Sequence, residues 1–259
     1  PKPFDPRLIV QIAPAVAKAA MDSGVATRPI TDFGAYRDKL QQLVYHSGLL
    51  MKPIFDAAKK ASKRIVFAEG EDERVLRAVQ VIVDEKIAKP ILVGRPAVLE
   101  QRIERYGLRL EAGVDFEMIN PEFDERYREY WSEYYRLTAR RGVSQQYAKI
   151  EMRRRHSLIG AMMIHLGQAD GMICGTFGTH ALHRYFVDQV IGKRVGVRTY
   201  AAMNAVMLPN RTLFIADTYV NPDPTAEELA EITLLAADEI RRFGTEPKVA
   251  LLSHSSFGT

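Results

Sequence analysis

The chain has 259 residues, 47% of them hydrophobic and 26% charged, with a formal net charge of +4. That balance suits one large or two modest soluble domains, and no apolar run reaches the length that spans a membrane. The single cysteine, Cys174, excludes an intrachain disulfide framework and fits a reducing cytoplasm.

The opening PKPFDPRL has no apolar signal core and no initiating methionine, so the expectation is a chain that begins inside a longer protein or after processing. An alanine-rich helix is expected from about Arg7 to Ser23, stopped at Gly24, with Arg28-Pro29-Ile30 breaking it. A second helix fits Tyr36 to Tyr45, before Gly48. From Arg64 the pattern changes. RIVFAE is a short β-branched and aromatic run, and EGED leads from it into an amphipathic helix through Val75, Leu76, Val79, Ile82 and Val83. PILVG is another short apolar run, followed by a helix from Ala97 to Tyr106 and then FEMIN. Strands alternating with helices predict an α/β fold, a parallel or mixed sheet with helices on both faces.

The stretch 124–166 reads as helical. Within it Tyr127, Tyr130, Trp131, Tyr134 and Tyr135 recur at three- and four-residue spacing and form one aromatic stripe. Tyrosines interleaved with arginines invite a nucleic-acid reading, but aromatic stripes at this period are usually core, and no nucleic-acid motif accompanies this one. The same region is strongly basic. Nine basic residues lie between Arg126 and Arg155 against three acids, so this window carries +6 and the rest of the chain −2. A local basic surface calls for an anionic partner.

ADGMICG reads as a strand ending in a Gly-rich loop, and TLFIAD as another strand. DPTAEELAEITLLAADEIRRFG is the clearest helix, with Thr225 and Glu228 at capping-box spacing and Gly244 at the stop position. PKVALL is expected to be a last, buried strand, followed by SHSSFGT.

Ligands of parallel α/β sheets bind beyond the carboxyl ends of strands, which singles out four segments. Gly70 permits a tight turn in Glu69-Gly70-Glu71-Asp72, whose acids are more simply helix caps. Cys174-Gly175-Thr176-Phe177-Gly178-Thr179-His180 offers two glycines and two hydroxyls to phosphate or carbonyl oxygens, with Arg184 within reach if a helix begins there. His180 and His183 find no third ligand, so no metal site is read. Asp217 to Thr225 is stiffened by Asn221-Pro222 and Asp223-Pro224, which either shapes a loop or aims Asp217 and Asn221 at a cleft. Ser253 and Ser255 follow the last run in a Ser/Gly loop suited to phosphate. A Ser–His triad there is rejected, because no nucleophile elbow is present.

Taken together, AEGEDERVLRA, ADGMICG, IADTYVNPDPTAEELAEI and KVALLSHSSFG resemble, in order and spacing, the phosphate acetyltransferase (phosphotransacetylase) family. FDPRLIVQIAPAVAKAAMDSGVATRPI resembles the end of the catalytic portion of large bacterial NADP-dependent malic enzymes, in which a phosphotransacetylase-like domain follows. The resemblance implies a three-layer fold like that of isocitrate and isopropylmalate dehydrogenases, two subdomains with a cleft, and further strands and helices after Thr259. It implies a connector at 1–50, a first subdomain at 51–194 and an incomplete second at 195–259.

Stand-alone members carry His-Ser/Thr-Thr-Ala-Asp-x-x-Arg after the ADG strand. Here the segment is Gly178-Thr179-His180-Ala181-Leu182-His183-Arg184. Thr179 and Arg184 match its hydroxyl and arginine, while its histidine and aspartate are not kept. An arginine of the family's cleft falls near Arg140. The resemblance therefore implies Arg140, Thr179, Arg184, Asp217, Asn221, Ser253 and Ser255 as contacts for CoA or phosphate, with no catalytic or metal residue. It implies a cytoplasmic, homo-oligomeric module that binds acetyl-CoA or a related acyl-CoA and regulates malate oxidation. The alternative is a working acetyltransferase. NADP, divalent metal and malate would belong to a catalytic domain before residue 1, and neither nucleic acid nor membrane is an expected partner.

Overall fold

The computed structural model describes residues 6–44, 48–208 and 211–252. Its contacts group into two compact units, one of Phe55–Val197 and one drawn from residues 1–54 and 198–259. Three helices lead: α1 (Pro6–Asp22), α2 (Phe33–Val44) and α3 (Gly48–Ala61). Gly24, at φ +75°, ends α1 as its position predicts. The Asp32 carboxylate accepts from the N–H groups of Gly34 and Ala35, so α2 starts at Phe33, three residues before the expected Tyr36. α3 has no counterpart among the expected helices, because Pro53, which normally marks a break, lies inside it.

The unit Phe55–Val197 is built on four strands, β1 (Arg64–Phe67), β2 (Lys89–Val93), β3 (Glu117–Ile119) and β4 (Gly171–Ile173), all parallel and in the order β3-β2-β1-β4. Helices α4 (Glu73–Glu85) and α5 (Pro96–Arg105) make the crossovers from β1 to β2 and from β2 to β3. Side chains alternate between faces along each strand. Phe67 and Leu92 pack with Val75, Leu76, Val79 and Leu99 of α4 and α5. Val66, Ile91, Val93 and Ile119 pack on the opposite face with the helices of residues 127–190. The sheet is thus covered on both faces, as its near-continuous apolar strands require. Each fully buried leucine, isoleucine or methionine here is worth about 1.5–3 kcal/mol.

Residues 124–166 are not one helix but three: α6 (Tyr127–Thr138), α7 (Gln145–Arg154) and α8 (His156–His165), with a short 3₁₀ turn, Ala139–Arg141, after the first. Gly142 at φ +90° ends the turn, Ser144 caps α7 by accepting from Tyr147 N–H, and Arg155 is extended between α7 and α8. The aromatic stripe packs inward as expected. Tyr130 and Tyr134 are buried, with their hydroxyls donating to Gln168 and Gln189. Tyr127 and Trp131 are half-buried, and Tyr135 lies at the exposed edge. α8 is buried on all sides from Ser157 to Met163. A side chain on its Gly160 would collide with Met172 and come within 2.9 Å of Val66 Cγ1, so only glycine lets the helix lie this close to the sheet. The last helix of this unit is α9 (His180–Val190).

The C-terminal segment contains an antiparallel pair, β5 (Met203–Leu208) and β6 (Arg211–Ala216), and α10 (Ala226–Arg242), which packs on β6. The capping box forms: Thr225 accepts from Glu228 N–H and the Glu228 carboxylate accepts from Thr225 N–H. PKVALL, expected as a buried strand, is not one among the described residues. Leu251 and Leu252 are exposed, the latter 90%, and no described strand pairs with them; an apolar run becomes a strand only where a neighbour supplies its hydrogen bonds. No described helix is long and apolar enough to cross a membrane.

Candidate functional site

The order of the strands locates the site. From β1 the chain moves outward to β2 and β3, then returns to place β4 on the other side of β1. The loops after β1 and β4 therefore stand side by side at the carboxyl ends of these two strands, where such sheets bind ligands, and the candidate crevice lies between them. Residues 68–72 and 174–179 form its two lips.

The lips are bound to each other. Glu69, only 4% exposed, accepts the N–H of Gly175 on both carboxylate oxygens, at 3.2 and 3.1 Å. Ala68 donates its N–H to the Ile173 carbonyl, and its own carbonyl lies 3.0 Å from His156 Nδ1 at the start of α8. A carbonyl only accepts, so Nδ1 carries the proton. Burial pushes the His156 pKa down, opposed by that carbonyl, and the ring is kept neutral.

Gly70 turns the chain where a side chain would stand 2.8 Å from the Val93 carbonyl. Glu71 receives three hydrogen bonds from Arg95, at 2.8, 2.9 and 2.8 Å, which hold its carboxyl below the usual carboxylate range. The Glu71 carbonyl also accepts from Arg102. Asp72 caps α4 by accepting from Arg74 N–H and is paired with the Arg74 guanidinium, which lowers its pKa. Arg74 then reaches across to the Thr176 carbonyl at 3.0 Å. The simpler expectation, that the two acids are helix caps, holds for Asp72 alone; Glu71 is taken up by Arg95 instead.

On the β4 side, burial and then the Glu69 charge push the Cys174 thiol up, which favours the thiol over the thiolate. His183 Nε2 lies 2.9 Å from the Phe177 carbonyl, which leaves Nδ1 as an acceptor. That nitrogen and the Thr176 hydroxyl oxygen are both buried without a hydrogen-bond partner among the described residues. Buried polar atoms are nearly always paired, so one orphan in the Gly-rich loop and another on α9, the helix that follows it, mark a place where a ligand group fits.

The seven residues inferred from the sequence fall in different places. Thr179 is the N-cap of α9, accepting from Leu182 N–H at 3.3 Å, and Arg184 is exposed on the same helix. Arg140 is exposed on the 3₁₀ turn after α6, a helix that packs on α9. Asp217 and Asn221, in the other unit, are joined to each other: Asn221 donates from its backbone (2.7 Å) and side chain (2.6 Å) to Asp217 Oδ2, and Ala202 N–H donates to Oδ1 at 2.9 Å. Burial opposes ionisation of Asp217, but these donors outweigh it and lower the pKa. Asn221 also donates to the Tyr200 carbonyl. Ser253 and Ser255 lie outside the described residues.

Residues 49–259 match the family model described as phosphate acetyl/butaryl transferase. The chain belongs to this family. A phosphotransacetylase from Streptococcus pyogenes superposes with a TM-score of 0.72 at 28% identity, covering 82% of this chain and 63% of that one. An NADP-dependent malic enzyme of Salmonella typhimurium is 60% identical over all 259 residues, which are 34% of its length. A phosphate acetyltransferase of Nitratidesulfovibrio vulgaris is 35% identical over 205 residues, 78% of this chain and 28% of that protein. The chain thus spans about a third of the length of these curated relatives.

In this phosphate acetyl/butaryl transferase family chain, sequence reasoning did not reach three participants: His156, the Arg74 bridge and the bond from Gly175 to Glu69. His156 follows three arginines and heads an apolar helix, and nothing in that pattern marks it. Arg74 stands in a motif that was singled out only for its acids. Among the described residues no group of three or more His, Cys, Asp or Glu side chains is placed to hold a metal ion.

Proposed function

We propose that this chain is the regulatory and oligomerisation domain of an NADP-dependent malic enzyme, that it binds acetyl-CoA, and that it does not itself transfer acetyl groups. The observation that carries this reading is the reach of the similarity. The family model begins at residue 49 and the phosphate acetyltransferase relative matches 78% of the chain, whereas the malic enzyme relative matches all of it, the first 48 residues included.

The site fits a bound ligand without turnover. The orphaned Thr176 hydroxyl lies in a loop that Gly175 and Gly178 carry through positive φ, which opens the backbone to close approach. Thr179 and Arg184 follow it and would hold phosphate or carbonyl oxygens. The segment Gly178–Arg184 lacks the histidine and aspartate of the stand-alone pattern, and Cys174 is held as a thiol. For the domain to regulate malate oxidation, acetyl-CoA must bind one assembly state more tightly than another, because coupling is a difference in affinity.

The second reading, an active phosphate acetyltransferase, is favoured by the 35% identity to a protein of that name and by the retained Asp217. CoA thiol would then lose its proton to an aspartate while arginines hold the phosphate.

Calorimetric titration of acetyl-CoA into the protein with phosphate present separates the two. Discrete saturating heats are expected. A sustained heat rate after each injection would establish turnover and overturn the regulatory reading, and silence from folded protein would remove acetyl-CoA as ligand.

A further inference from the structure

The basic window of residues 126–155 is sorted by the fold. Arg126 pairs with Asp124 and Glu117, Arg136 with Glu133, and Arg155 with Glu151. Among the described residues no carboxylate pairs with Arg128, Lys149, Arg153 or Arg154, and these four line one groove. The groove runs between α6 and α7, with a volume of ≈ 580 Å³, and its walls include the rings of Tyr127 and Trp131. Lys149 Nζ lies 4.5 Å from the Trp131 ring centre, and the Arg153 guanidinium 4.4 Å from that of Tyr127. Tyr127 is fixed in turn by a 2.7 Å hydrogen bond from its hydroxyl to the Lys149 carbonyl.

We propose that this groove binds a nucleoside 5′-diphosphate group. Four cations with no internal counter-charge repel one another and call for a ligand carrying several negative charges. Two of them are held against ring faces, so the charge lies along the groove wall before a ligand arrives, which lowers the ordering cost of binding. A simple anion would use the charges and leave the rings idle. A nucleotide uses both: its phosphates take the guanidinium forks of Arg128, Arg153 and Arg154, and its base stacks on a ring or guanidinium plane. Lys149, a flexible stem with a point charge, can turn from Trp131 to a phosphate as the base takes its place. The same chemistry is offered by a free nucleotide and by the nucleotide end of CoA. The groove lies on the helices covering one face of the sheet, not in the crevice between the loops after β1 and β4, so it is a second site beyond the regulatory reading.

Trp131 is the only tryptophan in the 259 residues, so the intrinsic fluorescence of the chain reports the groove directly. The full chain is titrated with ADP, CoA, adenosine and inorganic pyrophosphate. ADP is expected to change the Trp131 emission saturably, with adenosine and pyrophosphate each at least about tenfold weaker, since each lacks half of the recognised group. Arg153→Ala is expected to weaken ADP about tenfold or more, and the control Arg141→Ala, the same charge change outside the groove, to leave it unaltered. CoA binding more tightly than ADP identifies the carrier as the source, and the reverse identifies the free nucleotide. An unchanged Trp131 emission with ADP and CoA from folded protein overturns the proposal. So does pyrophosphate binding as tightly as ADP, which would leave a plain anion patch. Calorimetric binding of acetyl-CoA with Trp131 silent would remove this site and leave the regulatory reading standing.

Discussion

At His156 a single imidazole fastens the first turn of α8 to the end of β1 through the Ala68 carbonyl. Its folded pKa lies below the ordinary 6.5, so between the two values the unfolded chain binds more protons than the folded one. The resulting stability is complete above about pH 6.5 and is lost as pH falls through that window. Urea midpoints at pH 5 and pH 7.5 are expected to differ less in His156→Gln than in the parent, since the amide can still donate to Ala68 but cannot titrate. Equal pH dependence in the two proteins would show the imidazole uncoupled from folding. No sequence pattern announces this residue, because its role depends on a carbonyl 88 positions away. Asp217 shows the opposite. Its place at a strand end was legible, yet its hydrogen bonds to Ala202 and Asn221 appear only when the loop is folded.

Element by element, legibility follows the locality of the signal. The α10 cap is written in adjacent residues and forms as expected, so Thr225→Ala should cost about 1 kcal/mol, read as a shift in the urea midpoint without a change in slope. A change within error would mean that the packing of α10 on β6 alone fixes the helix start. The break between α6 and α7 was equally local, since Gly142 followed by Ser144 is a stop and a cap, but a continuous helical period through the tyrosines hid it. PKVALL carries the composition of a strand and no guarantee of a neighbour, and pairing is a property of two segments. Pro53 hides α3 for the converse reason, being a breaker that its helix tolerates.

Across the molecule, protection is uneven. The sheet of residues 64–67 and 89–93 and the buried helix α8 are enclosed on both sides, whereas the β5–β6 pair exposes Val206, Met207, Leu208, Leu213 and Ile215. Local opening is easiest where few apolar contacts are lost. Amide hydrogen exchange is therefore expected to be slowest at 91–93 and 158–163 and fastest, among strands, at 203–208 and 211–216. Uniform protection would indicate that the hairpin is covered. The α/β alternation that organises this core was legible because parallel strands are apolar on both faces, and the crevice followed from it. Which loop residues cross-link the crevice was not, because those bonds join positions over a hundred apart, as Glu69 and Gly175 are. The all-round burial of α8 has a last consequence. Surface helices tolerate change in a repeating stripe, intolerant every third or fourth position. From Ser157 to Met163 every position faces other atoms, so a saturation library should be depleted there as one unbroken block, with Gly160 the least permissive site of all.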